Sequence, residues 1–365
     1  MGFEQDAARI TQVMTEQDPA FAAVSEDRKR ATLDDLAAHA VANDRNAFLL
    51  AAMRAMALAN NAHSRVIPNA AMSVLPLRIV LQDGKFCVPD GDRFRAVAVV
   101  NGVAIRDVVS RLRPYLAGNA TRQDILAGPM LAWPPALALA GVTGAQVDYT
   151  FEDGETLSRF AADGVPASSV FSQNETGAYA VGADPFPGPV VRLDAGCWHV
   201  RLADMKALSA KDIASVIEAM ESEPLGVIVD LRGNPGGSFL TAVPLVRCLK
   251  DLGVRCAVLV DGYTFSAAIV VAVLVKGHLG ARCRVIGSPV GDNLAFWAEG
   301  DLVDLPQSGA RVRYSTAWHD WAEGRADATT PPEIAEHMIG IGTLDVAPVP
   351  LAQQVTVARD WVMNG

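Results

Sequence analysis

Several features that would settle a function quickly are missing from these 365 residues. There is no basic stripe: Asp and Glu outnumber Lys and Arg by 41 to 31, for a net charge of −10. Such a chain cannot neutralise a run of phosphates, so a nucleic-acid partner is not expected. No apolar run approaches the roughly 20 residues that span a bilayer; the longest, Ala267–Val275, reads as a buried helix. The N-terminus, MGFEQDAARITQVMTEQD, carries acids and no apolar h-region, so it does not read as a signal peptide. As it stands the chain reads as cytoplasmic, or as periplasmic or secreted if a leader has been removed. The five cysteines (Cys87, Cys197, Cys248, Cys256, Cys283) are odd in number and show no CxxC or Cys/His spacing. They read as buried free thiols rather than disulfides or metal ligands. Neither a GxGxxG nor a Walker loop occurs. No metal or organic cofactor is implied, and there is no internal repeat.

What is present divides by pattern. Half of the residues are hydrophobic, enough for two or three structural units. Residues 1–62 are rich in Ala, Leu and Met at helical spacing, as in Leu49, Leu50, Met53 and Met56, and predict two or three helices. NAHSRVIPNA (61–70) reads as a polar loop. Residues 63–165 then hold this loop and a small β-rich module. Its hairpins turn on Asp83-Gly84, Asn101-Gly102 and Asp153-Gly154, and a helix over DVVSRLRPYLAG stops at Gly118. Residues 166–189, rich in Gly, Pro and Ser, read as a linker. From residue 190 to 365, strands alternate with helices, which implies an α/β core with a largely parallel sheet.

Two turns of that core carry candidate chemistry. LGVIVDLRGNPGG (225–237) is a strand running into glycines, where backbone N–H groups can approach a ligand without side-chain obstruction. AVLVDGYTFSAA (257–268) is a strand running into Ser266 and then a helix. Either turn alone has an ordinary explanation, since glycines often lead into a helix and serine commonly caps one. As a pair at neighbouring strand ends of one sheet, they have the geometry of a nucleophile beside an oxyanion hole.

These motifs resemble those of the C-terminal processing, or tail-specific, serine peptidases, the family that includes the tricorn core protease. DLRGNPGG is similar to that family's glycine-rich strand end and TFSAA to its nucleophile turn. VIGSPVG followed by VDLPQSGARVRYST resembles the segment after the nucleophile helix, with its LPxSG hairpin. NAHSRV resembles the histidine loop of the Ser/His subgroup, and FRAVAVVNGVAIRDVV the hairpin of the preceding module. The resemblance covers residues 60–350 loosely. It implies a ClpP- or crotonase-like β-β-α spiral core, acting on a peptide or protein substrate, with a homo-oligomer left open. The module at 75–160 stands where members often carry a PDZ domain, yet it has no GLGF-like loop.

The departures narrow the mechanism. Many members use a Ser/Lys dyad, but no lysine follows Lys276, and Ile269 stands where a glutamate is common. Lys276 is ten residues past Ser266 on one helix, about 15 Å away. Of the six histidines, His63 alone falls in a family-like motif, so it is the candidate general base. Glu299 in FWAEG, or else Glu323 in WAEGRAD, is the candidate that orients the imidazole. The implied oxyanion donors are the N–H groups of Gly237 or Gly236 and of Ala267. Two rival readings are a non-catalytic peptide-binding protein that keeps the fold and a crotonase-type acyl-CoA enzyme. The acidic composition gives the latter no support.

Overall fold

A computed structural model of the chain describes residues 2–91, 93–171, 190–194, 196–220 and 224–364. Contacts divide it into two units, one of Met1–Glu175 with Phe296–Ala317, the other of Thr176–Ala295 with Trp318–Gly365. In the first, α1 (Glu4–Gln12), α2 (Glu26–Ala42) and α3 (Arg45–Ala57) form where the helical period predicts them. α2 stops at Asn43, left-handed at φ 59°. α3 starts at once because the Asp44 carboxylate accepts the N–H groups of Asn46 (2.9 Å) and Ala47 (3.1 Å). The chain continues through β1 (Arg65–Pro68), β2 (Met72–Val74), β3 (Val80–Gln82), β4 (Lys85–Asp90), β5 (Arg93–Val100) and β6 (Val103–Ala104). It then forms α4 (Ile105–Leu112), α5 (Ala120–Met130), α6 (Pro134–Leu139), β7 (Gln146–Phe151), β8 (Thr156–Phe160), β9 (Ala162–Val165) and α7 (Ser168–Phe171).

The second unit is the alternating α/β core. It contains β10 (Val190–Asp194), β11 (Cys197–Arg201), α8 (Ala210–Met220), β12 (Gly226–Asp230), α9 (Val243–Leu252), β13 (Arg255–Val260), α10 (Ala267–Leu279) and β14 (Cys283–Gly287). The chain goes on through β15 (Ala295–Ala298), β16 (Leu302–Leu305), β17 (Ala310–Arg313), β18 (Ala317–Asp320), α11 (Pro332–Ala335), β19 (Val346–Pro348) and α12 (Gln354–Asn364). The core sheet has the order β10-β11-β12-β13-β14-β19, parallel except for β10. Every residue of β12 is buried, as expected of a parallel strand covered on both faces, so it reads as an unbroken apolar run. On one face Ile228, Ala257, Leu259 and Ile286 pack with Ala358 and Val362 of α12. α10 is apolar on all sides because protein encloses it, with Ala267–Val275 wholly buried. Among the described residues no helix is long and apolar enough to cross a membrane, and none of the five cysteines is in a disulfide.

All three predicted hairpins are present. β3–β4 turns on Asp83 (φ 47°) and Gly84 (φ 74°), and β5–β6 on Asn101 (φ 43°) and Gly102 (φ 79°). Two successive left-handed residues make the turn that matches the twist of paired strands. Three expectations need correction. The segment 61–70 is not a loop throughout: Arg65–Pro68 is β1, paired antiparallel with β17 in the first unit. The module is not simply β-rich, because α4, α5 and α6 accompany its sheet of β3, β4, β5, β7 and β8, with β6 on β5. α4 ends at Leu112, and a 3₁₀ turn over Arg113–Tyr115 follows where Pro114 has no N–H to give. Of the stretch read as a linker, residues 172–189 lie outside the described residues.

Candidate active site

Beyond Val260 the chain makes a tight, hydrogen-bonded turn before α10 begins. Asp261 Oδ1 accepts the N–H groups of Tyr263 and Thr264, both at 3.0 Å. Residues Gly262–Phe265 and Ala267 are buried, while Ser266 between them is half-buried and so reaches solvent. Its backbone is left-handed, φ 54° and ψ −125°. A residue with a Cβ holds such a conformation at a cost of about 1–3 kcal/mol, and only when its surroundings fix it. A sharp strand-to-helix turn of this kind can lift a hydroxyl clear of its neighbours. The positive end of the α10 dipole adds a favourable field for negative charge beside Ser266.

The glycine-rich turn after β12 lies against this serine. A Cβ on Gly236 (φ 94°) would sit 2.8 Å from Ser266 Cβ, 2.9 Å from Phe265 O and 3.2 Å from Ala267 N. A Cβ on Gly237 (φ 144°) would meet Lys206 N at 2.6 Å. Both positions therefore require glycine. Asn234, fully buried, shapes the turn: its side-chain amide donates to Leu202 O (2.7 Å), and its Oδ1 accepts Gly236 N (2.9 Å). That bond occupies the Gly236 N–H.

His63 belongs to the first unit. It is 1% exposed, and its ring stacks on Phe296 of β15, with centroids 5.2 Å apart and 18° between planes. A buried polar network holds the backbone on either side. Asn61 Nδ2 donates to Ser64 Oγ (2.8 Å) and Ser315 Oγ (2.9 Å), and Ser315 N donates to Asp18 Oδ2 (3.4 Å). Burial raises the pKa of Asp18, and the hydrogen bond from Ser64 opposes that rise. No local signal announces these partners, because they come from residues 18 and 315.

The two glutamates differ in setting. Glu299 is exposed on a left-handed backbone (φ 56°) directly after β15, on the same unit as His63 and three residues past Phe296. Glu323, in the second unit, is exposed and paired with Arg325 at 2.6 Å. Neither is the buried carboxylate that a triad ordinarily uses. Lys276 donates to Gly280 O (3.2 Å) and Cys283 O (3.0 Å) at the far end of α10, in keeping with its exclusion as a base. Of the other histidines, His199 is buried with Nε2 3.1 Å from Asp230 Oδ2, and His319 is buried beside Trp321. Asp292, 5% exposed in the GSPVGDN loop, is a buried acid that no sequence motif marks.

Comparison with known proteins follows the same lines. The model of Peptidase family S41 matches residues 197–256, from β11 through the glycine-rich turn into β13. No curated protein matches the chain. Among solved structures, mature CPAF is 14% identical over 86% of this chain and 88% of its own, with a TM-score of 0.56. A point variant of CPAF is 13% identical over 99% and 95%, with a TM-score of 0.61. At these identities the likeness to CPAF shows a shared fold. The photosystem II D1 C-terminal processing protease is 13% identical over 100% and 96%, at a TM-score of 0.43. The chain is thus similar to Peptidase family S41 over the segment that holds the glycine-rich turn, and it shares the fold of CPAF.

Proposed function

We propose that this chain cleaves peptide bonds through an acyl-enzyme, with Ser266 as nucleophile and His63 as general base. The family match and fold support the coarser statement, a serine peptidase. The finer one rests on the nucleophile turn: Ser266 stands on a left-handed backbone at the start of α10, against Gly236. In this scheme Ser266 Oγ attacks the scissile carbonyl carbon and passes its proton to His63. The N–H groups of Gly237 and Ala267 receive the oxyanion, each worth about 3 kcal/mol of barrier. Collapse expels the amine, which takes the proton from His63. Water then attacks the acyl-enzyme by the same route and frees Ser266. Glu299 or Glu323 orients the imidazole. The scheme uses no metal or organic cofactor.

A fluorophosphonate tests it. One peptide, containing Ser266, should gain mass, and Ser266→Ala should abolish both labelling and hydrolysis. His63→Ala should lower kcat by about three orders of magnitude or more. Labelling that survives Ser266→Ala would sink the nucleophile assignment. A folded chain that neither labels nor cleaves would favour a binding protein. Turnover of thioesters without peptide cleavage would favour the acyl-CoA reading.

A further inference from the structure

The parallel pairing of β12 and β13 ends at Asp230 and Leu259, with one more bond from Leu231 N to Leu259 O (2.9 Å). Past this point two separate turns must hold register without a ladder, one carrying Gly236 and Gly237 and the other Ser266. We propose that Asp261 is a positioning residue that locks the oxyanion turn to the nucleophile turn. The inference rests on the serine peptidase reading above.

The geometry is specific. Asp261 Oδ1 accepts Gly233 N (2.9 Å) from the glycine-rich turn, and Tyr263 N and Thr264 N (3.0 Å each) from its own. One oxygen thus holds three amides from two segments. Thr264 completes the joint: its hydroxyl donates to Leu231 O (2.9 Å) and accepts Asp261 N (2.9 Å). Phe265 N, one residue before the nucleophile, donates to Asn234 O (3.0 Å). Amides held by a carboxylate are bound more strongly than amides held by a neutral acceptor. Gly233 lies four residues before the Gly237 donor, so a shift at this anchor is carried to the oxyanion site. A displacement of about 1 Å in catalytic geometry costs roughly 100-fold in rate. Asp261 is half-buried, and its acid has a second, ordinary use as a turn former. That use accounts for the bonds to Tyr263 and Thr264 but not for the bond to Gly233.

The test is a comparison of Asp261→Ala, Asp261→Asn and Asp261→Glu in the full chain. Asparagine retains an oxygen at the accepting position. Alanine removes it, and glutamate keeps the charge but displaces the oxygen. Asp261→Ala and Asp261→Glu should lower kcat about 10- to 100-fold with KM within about threefold, while Asp261→Asn recovers most of the loss. Amide hydrogen exchange over residues 231–237 should quicken in Asp261→Ala and Asp261→Glu and stay slow in Asp261→Asn. If alanine prevents folding, the glutamate and asparagine pair decides. Wild-type kcat and unchanged exchange in Asp261→Glu would overturn the proposal. Equal losses in kcat for asparagine and glutamate would overturn it too, because an oxygen kept at the accepting position would then restore nothing. Hydrolysis that persists in Ser266→Ala would instead overturn the nucleophile assignment, leaving exchange at 231–237 to judge Asp261 alone.

Discussion

A methyl group on residue 236 has nowhere to go. It would lie 2.8 Å from Ser266 Cβ and 2.9 Å from Phe265 O, on a backbone at φ 94°. Gly236→Ala is therefore expected to displace the nucleophile turn and lower kcat by about 100-fold while the chain stays folded. Steady-state kinetics beside a thermal melt check this; an unaltered kcat would mean that the contact does not position Ser266. The two glutamates call for a smaller expectation. Neither is desolvated as a triad acid is, so Glu299→Gln should lower kcat by no more than about tenfold, with little change in KM. Glu323→Gln should cost less, since Glu323 is engaged with Arg325 while Glu299 closely follows the phenylalanine that stacks on His63. Both variants are to be compared on one peptide substrate. A larger loss at Glu323 reverses the assignment.

Helix α10 shows how an element joins sequence to site. Its apolar residues fix it inside the core, and its N-terminus presents Ser266. Lys276, its one lysine, fastens the other end through Gly280 O and Cys283 O. Lys276→Ala should keep kcat within about twofold and lose about 1 kcal/mol of stability, measured by urea unfolding; a folded but inactive variant would restore a lysine mechanism. The strands and helices around this site were legible because their apolar periods are local, as were the hairpins with Asp83-Gly84 and Asn101-Gly102 at their turns. Helices α5 and α6 were not, since Gly128 and Pro129 read as breakers although they lie in the last turn of α5, and Pro134 opens α6 at a position where a missing N–H costs nothing. β1 was hidden for another reason: its polar surroundings are satisfied by Asp18, Ser315 and β17, far away in sequence. The site divides in the same way. The turns that carry Ser266 and the glycines were readable, whereas the use of the Gly236 N–H by Asn234 needed three dimensions.

Stability of the whole molecule is tied to a charge cluster in which Asp230 and Arg232 of the DLRGNPGG motif meet His199 and Arg201 of β11. Asp230, wholly buried at the end of β12, receives Arg232 through two bonds (2.8 and 2.6 Å), with Arg201 at 3.3 Å and His199 at 3.1 Å. Burial alone would raise its pKa, but the Arg232 guanidinium, then His199 and Arg201, outweigh it and hold the carboxyl well below the usual range. A lowered folded-state pKa means stability that is present above the usual carboxylate pKa near 4 and is lost only as pH falls below it. Asp230→Asn, which removes a buried counter-charge from these guanidinium groups, should cost about 3–5 kcal/mol. The gap from wild type should stay flat between about pH 8 and 5 and narrow in stronger acid, as read from urea midpoints across pH. A gap that closes already near neutrality would show that the carboxylate is not held in its charged form.

The pairing of β1 with β17 also sets an order on synthesis. Arg65 leaves the ribosome about 250 residues before its partner Arg313, an interval of roughly 12–50 s at about 5–20 residues per second. Throughout that time the strand beside the His63 loop has an open edge, and Ser315, which anchors Asn61, does not yet exist. The helix that follows Ser266 is therefore made before the loop around His63 can settle.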